Sequence, residues 1–387
     1  GRGTFVAEPA EVVAGPDPLR LAEEDLSMNL PPEPTDPALI ANMRSGLDYV
    51  SANLLQLLRY QSSTGTDKDK AAASSWLSMR GMIPNSARLV ISPGAHSAIC
   101  AILTILSQPG DTVLCEQITY PGFRNIASRR GLNLVGIEMD DDGILPDALE
   151  AAILRHAPKA LYLNPTLQNP TTLTIPTDRR LAISDVLNKH GLQLIEDDAY
   201  GFIPAKAPAP IAVSAPDLTD LTWHIGGLAK CIGAGLRLAY TVAPTGKQAY
   251  SLGQTLKVQT VMASPITTAL ATQWIEDGTA DQIRRFIRSE TSARQAIARE
   301  VLEGCNFKGA ENAFNIWLTL PDGIGRADIV ARMAGRQIGI MPSDAFSVGI
   351  APSDKVRLCL GGSLSREALR TNLYFLVNSI QLNAFMG

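Results

Sequence analysis

Between Arg88 and Val242 short apolar runs alternate with stretches in which apolar residues recur every three or four positions. The runs predict strands over 89–92, 112–116, 132–138, 160–163, 192–196, 221–225 and 238–242. The periodic stretches predict helices over 97–106, 123–130, 146–156 and 176–190. Alternation of this kind implies a mostly parallel sheet covered by helices on both faces, with ligands held beyond the carboxyl ends of its strands. Ahead of it, Leu39, Ile40, Met43, Leu47, Val50 and Leu54 follow a helical period over 37–58, and 71–80 reads as a second helix. Behind it come helices over 264–277 and 279–303, strands over 315–320, 339–341 and 355–360, and a closing helix over 366–381. The chain is thus expected to comprise an α/β unit and a smaller α+β unit. The expected boundaries are an arm over 1–45, a large domain over 46–278, a linking helix over 279–303 and a small domain over 304–387. The linking helix carries Arg284, Arg285, Arg288, Arg294 and Arg299, and Glu290 stands four before Arg294. A solvated, ion-paired face is the expectation.

A length of 387 residues agrees with two lobes. Hydrophobic content of 45% and charged content of 19% describe an ordinary globular protein. The net charge of −4 argues against nucleic-acid binding by this chain itself, because phosphate neutralisation needs a basic surface. Cys100, Cys115, Cys231, Cys305 and Cys359 are scattered without a CxxC pair, which points to a reducing compartment and to neither a disulfide framework nor a metal site. No apolar run reaches the roughly 18 residues of a membrane span, and no signal-peptide pattern opens the chain. A cytoplasmic protein is expected.

At the predicted strand ends stand Gly94, Ala95 and His96; Tyr120; Asn164 and Asn169; Asp197 and Tyr200; and Lys230. Lys230 lies in Gly227-Leu228-Ala229-Lys230-Cys231-Ile232-Gly233-Ala234-Gly235-Leu236-Arg237, where small residues let a bulky ligand approach the backbone. Gly94 and Ala95 open a helix, whose free N–H groups attract phosphate. Asp197 sits in an apolar setting and needs a cationic partner, either a basic side chain or a protonated ligand nitrogen. Its neighbours Glu196 and Asp198 are free to face solvent. A lysine, a carboxylate, an aromatic face and a helix N-terminus together supply what a pyridoxal 5′-phosphate (PLP) site requires.

Asn164-Pro165-Thr166-Leu167-Gln168-Asn169-Pro170-Thr171-Thr172, Glu196 to Gly201, Lys230 to Arg237 and Val356-Arg357-Leu358 resemble, in order, the motifs of fold type I, class I/II PLP-dependent aminotransferases. The resemblance implies that Lys230 forms the Schiff base and moves the substrate proton, and that Asp197 pairs with the pyridine nitrogen. It implies that Asn169 and Tyr200 hydrogen-bond the cofactor's 3′ oxygen, with Tyr120 stacked on the ring. Arg237, the Gly94 and Ala95 backbone and His96 would bind the phosphate, and Arg357 the substrate carboxylate. Tyr60 would reach the phosphate of a second subunit, which implies a homodimer with shared sites. Gly227 and Ala229 depart from the pattern, since many members carry hydroxyl residues there, so two phosphate contacts are in doubt.

Two functional readings follow. One is a free-standing aminotransferase that passes an amino group from an α-amino acid to a 2-oxoacid. The other is the effector-sensing part of a MocR-type regulator of the GntR family, in which an amino acid or amine displaces Lys230 from the cofactor. Gly1-Arg2-Gly3-Thr4-Phe5-Val6 resembles the tail of such a regulator's winged helix-turn-helix, and the missing initiator Met agrees with a fragment. Tyr60-Gln61, Trp76-Leu77 and Gln168 to Thr172 also resemble that branch, which makes the regulator the favoured reading. DNA would then be bound only by a winged helix-turn-helix outside this chain.

Overall fold

In the computed structural model, residues 25–349 and 354–384 are described. The hexapeptide at 1–6, most of the arm and the chain's last three residues lie outside them. Seven strands form the main sheet: β1 (Leu89–Ser92), β2 (Thr112–Glu116), β3 (Asn133–Ile137), β4 (Ala160–Leu163), β5 (Gln193–Asp197), β6 (Thr222–Gly227) and β7 (Ala239–Val242). Their spatial order is β1-β7-β6-β5-β4-β2-β3. Only β7 runs antiparallel to its neighbours, so the mostly parallel, helix-covered sheet expected from the sequence is the one observed. Alternation along each strand feeds two cores. Leu89 and Ile91 pack with Trp76, Leu77 and Phe202, whereas Val90 packs with Ile99, Ile102 and Phe123 on the other face.

A second, wholly antiparallel sheet of β8 (Phe307–Lys308), β9 (Asn315–Thr319), β10 (Ile340–Pro342) and β11 (Lys355–Cys359) has the order β8-β9-β11-β10. A 23-residue helix, Thr279–Val301, joins the two units. Its Ile283 and Ile287 belong to the core around Trp76, and its Ile297 and Val301 to the core beneath the smaller sheet. One rigid rod thereby fixes the two sheets relative to each other.

Four sequence expectations need correction. The helix expected over 37–58 ends at Ala52, where Asn53 caps it by donating from Nδ2 to the Tyr49 carbonyl at 2.8 Å, and only the turn Leu54–Leu57 follows. A helix over Gly246–Thr260 was not expected, because its buried positions include Ala249 and Gly253 and its apolar period is faint. Of the long helix's arginines, Arg285 and Arg299 are exposed as expected, Arg285 pairing with Asp281 at 3.0 Å, but the other three do not lie on a solvated face. Arg294 is buried and donates to the carbonyls of Leu360 and Leu364, both at 2.7 Å, while Arg284 and Arg288 hold the carbonyls of Phe202 and Ile203. Glu196 and Asp198 do not face solvent either; both are wholly buried.

Candidate functional site

A cavity of about 380 Å³ opens where the carboxyl ends of β4, β5 and β6 face the smaller sheet. Ala95, His96, Tyr120, Asn169, Asp197, Tyr200, Lys230, Arg237 and Arg357 all line it. Gly94 stands behind it, with a φ of 86° that glycine adopts without strain. A Cβ there would lie 3.0 Å from Arg237 Nη2, so the glycine gives the guanidinium room. Tyr60 is the exception. It is 86% exposed, beyond the turn Leu54–Leu57, and does not line this cavity.

Asp197 ends β5, in register with Ile225 of β6, and its side chain is buried. The Tyr162 hydroxyl donates to Asp197 Oδ2 at 2.8 Å, while Oδ1 has no partner among the described residues. Burial pushes its carboxyl up to about 6, opposed by the Tyr162 hydrogen bond. An orphaned buried carboxylate oxygen is costly unless a cation arrives. Burial also pulls the Lys230 amine down to about 8. Its Nζ donates to the Asn29 carbonyl at 2.5 Å.

Arg357 lies on β11, 2% exposed, with its guanidinium over the Phe346 ring. Nη1 donates to Asn169 Oδ1 at 3.2 Å and Nη2 to the Ser27 carbonyl at 2.6 Å. Asn169 is itself aimed by Asn164, whose Oδ1 accepts the Asn169 N–H at 3.0 Å and whose Nδ2 donates to the Asp197 carbonyl at 2.7 Å. Tyr120 immediately precedes the helix Pro121–Arg129. Its ring lies over Gly122, where any Cβ would fall within 2.5 Å of it. The helix Ala95–Leu106 begins without a side-chain cap, which leaves its first N–H groups free for an anion. Beside it, partial desolvation and the neighbouring Arg237 hold the His96 imidazole below its usual range. At Gly227 a Cβ would make an ordinary 3.6 Å contact with Ala95, so crowding does not explain the missing hydroxyl.

Beneath the cavity two buried ion pairs fix the ends of the strands. Arg80 Nε donates to Asp198 Oδ2 at 2.9 Å, and Glu196 accepts the N–H groups of Ile211 and Ala212 beside His224 and Arg180. Sequence reasoning missed this layer, and also Tyr162, Ser27 and Asn29 on the cavity wall. Tyr162 lies two residues before Asn164 on a predicted strand, and alternation from that asparagine was the available signal. Asn29 had none.

The residues present fit PLP. An orphaned carboxylate oxygen suits the ring nitrogen, an uncapped helix start with Arg237 suits the phosphate, and a lysine of lowered basicity suits the aldehyde.

Comparison with known proteins agrees. A family model described as aminotransferase class I and II matches residues 25–373. The uncharacterized HTH-type transcriptional regulator YdeF of Bacillus subtilis is 27% identical over 308 residues, covering 79% of this chain and 66% of that protein. The uncharacterized HTH-type regulator YdcR of Escherichia coli is 26% identical over 279 residues, 70% of this chain and 59% of its own length. The chain thus spans about three-fifths of the length of such regulators. The 2-aminoadipate transaminase of Thermus thermophilus is 24% identical over 320 residues, 81% of this chain and 79% of that enzyme. Among solved structures, an archaeal alanine:glyoxylate aminotransferase superposes with a TM-score of 0.83 at 21% identity, over 92% of this chain and 90% of that one. The α-aminoadipate aminotransferase LysN of Thermus thermophilus, complexed with N-(5′-phosphopyridoxyl)-L-leucine, does so with 0.83 at 20% identity, over 94% and 93%. These likenesses show the fold.

Proposed function

The chain belongs to the aminotransferase class I and II family, and on that premise we propose that it is the effector-sensing part of a MocR-type transcriptional regulator. Its ligand is an amino acid or amine, recognised on PLP. The observation that carries this reading is the contact of the amino-terminal segment with both key cations: Ser27 supplies a carbonyl to Arg357 and Asn29 one to Lys230. A ligand carboxylate at Arg357 would compete with the Ser27 carbonyl for its guanidinium. Site occupancy is thereby tied to the amino-terminal segment, and the HTH-type relatives are longer than the part of them that this chain spans. DNA contact would belong to a winged helix-turn-helix outside this chain, and a cytoplasmic setting is part of the proposal, supported by the five unpaired cysteines. Among the described residues no helix is long and apolar enough to cross a membrane.

When bound, PLP supplies an aldehyde that condenses with amines and a ring that accepts electrons. The chain's residues set the conditions. Lys230, with its amine near 8, holds about a tenth of its molecules neutral at pH 7 and can attack a carbonyl carbon or carry a proton at Nζ. Asp197 Oδ1, which has no partner among the described residues, would accept from the ring nitrogen, while Tyr162 fixes Oδ2. Arg357 presents two N–H groups to a carboxylate. Tyr200 and Asn169 would hold the ring oxygen, Tyr120 the ring, and Arg237, His96 and the start of the Ala95–Leu106 helix the phosphate. A homodimer is part of the proposal. Leu55, Leu58 and Tyr60 are exposed, as are Val258 and Val261, and the Gln61 N–H meets Met262 Sδ at 3.2 Å; exposed apolar side chains on these two stretches suit self-association. Tyr60 then belongs to the partner's phosphate site.

The second reading, a turning-over aminotransferase, is favoured by the complete set of Lys230, Asp197, Tyr200 and Arg357 around one cavity. Incubation of the PLP-loaded chain with the standard amino acids and a 2-oxoacid separates the two. The sensor is expected to change the cofactor spectrum once per site without sustained product; many turnovers per site would establish the enzyme.

A further inference from the structure

Asn29 lies in the segment before the first helix, 3% exposed, and forms part of the cavity wall. Its carboxamide is oriented by a chain of donors and acceptors that admits one arrangement. The Pro170 carbonyl can only accept, so the group 2.7 Å from it is Asn315 Nδ2. Asn315 Oδ1 therefore faces Asn29, and only Asn29 Nδ2 can meet it, at 3.0 Å. The other N–H of that nitrogen points to the Tyr200 hydroxyl, also at 3.0 Å. Tyr200 is thus the acceptor in this pair, and its own proton is left for another partner.

The Tyr200 ring has little freedom to choose one. It is 3% exposed and packs edge-on against Phe314 at 5.5 Å. Burial holds its phenol above the usual range, so the proton stays on the oxygen. Asn29 Oδ1 has no partner among the described residues, which marks the amide as built for its two donations and open on its third side.

We propose that Asn29 is a positioning residue of this site: by donating to Tyr200 it fixes that hydroxyl as a hydrogen-bond donor toward the cofactor's ring oxygen. The proposal rests on the PLP reading given above. A tyrosine that donated to Asn29 would offer the cofactor only lone pairs. One that accepts from Asn29 also becomes a better donor, because hydrogen bonds in sequence polarise one another.

The test uses the chain loaded with PLP and reads the pH midpoint of the bound cofactor's absorption band. A donor to the ring oxygen favours its deprotonated form, so losing the donor raises the midpoint. Tyr200→Phe is expected to raise it by about one pH unit or more, and Asn29→Ala by about half a unit in the same direction. The double variant is expected to match Tyr200→Phe alone, since Asn29 acts through that hydroxyl. An Asn29→Ala protein that melts earlier but titrates like the unaltered chain has lost only packing, and that result overturns the proposal. Fully additive shifts in the double variant overturn it too, because Asn29 would then act by another route. An unaltered chain that takes up no PLP brings down the cofactor reading itself, and this inference with it.

Discussion

At the scale of single residues, the cavity holds two groups whose charged forms are disfavoured by burial. Burial raises the Asp197 carboxyl to about 6 from an ordinary 3.8 and lowers the Lys230 amine to about 8 from 10.5. Between about pH 4 and 6 the folded, cofactor-free chain binds the Asp197 proton more tightly than the unfolded chain does, so its stability falls as pH rises through that window. Between about 8 and 10.5 the unfolded chain holds the Lys230 proton more tightly, and stability rises with pH. The destabilising contribution of these two groups to the cofactor-free protein is therefore greatest near neutral pH, where both charges are buried. Asp197→Asn keeps an acceptor for the Tyr162 hydroxyl and removes one of them. It is expected to stabilise the cofactor-free chain at pH 7 by up to about 3 kcal/mol, to flatten the acid-side slope, and to weaken PLP binding. Unfolding curves at pH 4 and 7 with a PLP titration check all three. Lys230→Ala is expected to abolish the absorption of the lysine-linked cofactor while the far-UV spectrum stays unchanged; retention of that band would remove Lys230 from its assigned role.

At the scale of elements, what matters is how strand ends are held. The pair Arg80–Asp198, with side chains 7% and 0% exposed, ties the end of the helix Asp67–Ser78 to the turn that follows Asp197. Truncating one partner strands a buried charge. Arg80→Ala is expected to cost about 3–5 kcal/mol, and Arg80→Ala with Asp198→Ala less than Arg80→Ala alone, as urea unfolding of the cofactor-free proteins would report. Such ties were illegible in the sequence, whereas the strands were plain. A run such as Ala160–Leu163 announces itself by continuous apolarity, because both faces of a parallel sheet are covered. Lys230, Asp197 and Asn169 could then be found by asking what stands at the strand ends. Arg284, Arg288 and Arg294 of the long helix were misread because an i,i+4 pair looks the same in solvent as in a buried network: Arg294 does pair with Glu290 at 2.8 Å, but its other nitrogens cap carbonyls more than sixty residues away. Glu196 and Asp198 were misread for a related reason. Alternation assigns one of two adjacent acids to the outside, and here a layer of helix and loop supplies partners on that side as well.

At the scale of the whole molecule, the cavity is closed by three pieces that are remote in sequence. The main sheet contributes Lys230 and Asp197, the smaller sheet Arg357, and the amino-terminal segment Ser27 and Asn29. Contacts such as Arg357 with Ser27, 330 residues apart, leave no mark on local periodicity. They nevertheless decide what a ligand must do on arrival. A carboxylate offers Arg357 a charged, two-pronged partner, whereas Ser27 offers one neutral oxygen, so an amino acid is expected to win Arg357 and release the segment. Hydrogen exchange measures this directly, because the Met28 N–H donates to the Asp25 carbonyl and the Leu30 N–H to Cys359 Sγ within the same segment. With PLP bound, adding the recognised amino acid should speed exchange over residues 26–30, while the small sheet around Arg357 stays protected. A primary amine without a carboxylate would displace Lys230 from the cofactor yet has nothing to offer Arg357, and should leave Ser27 in place. Release by such an amine would mean that the segment follows Lys230 through Asn29, and the effector would then be sought among amines instead of amino acids.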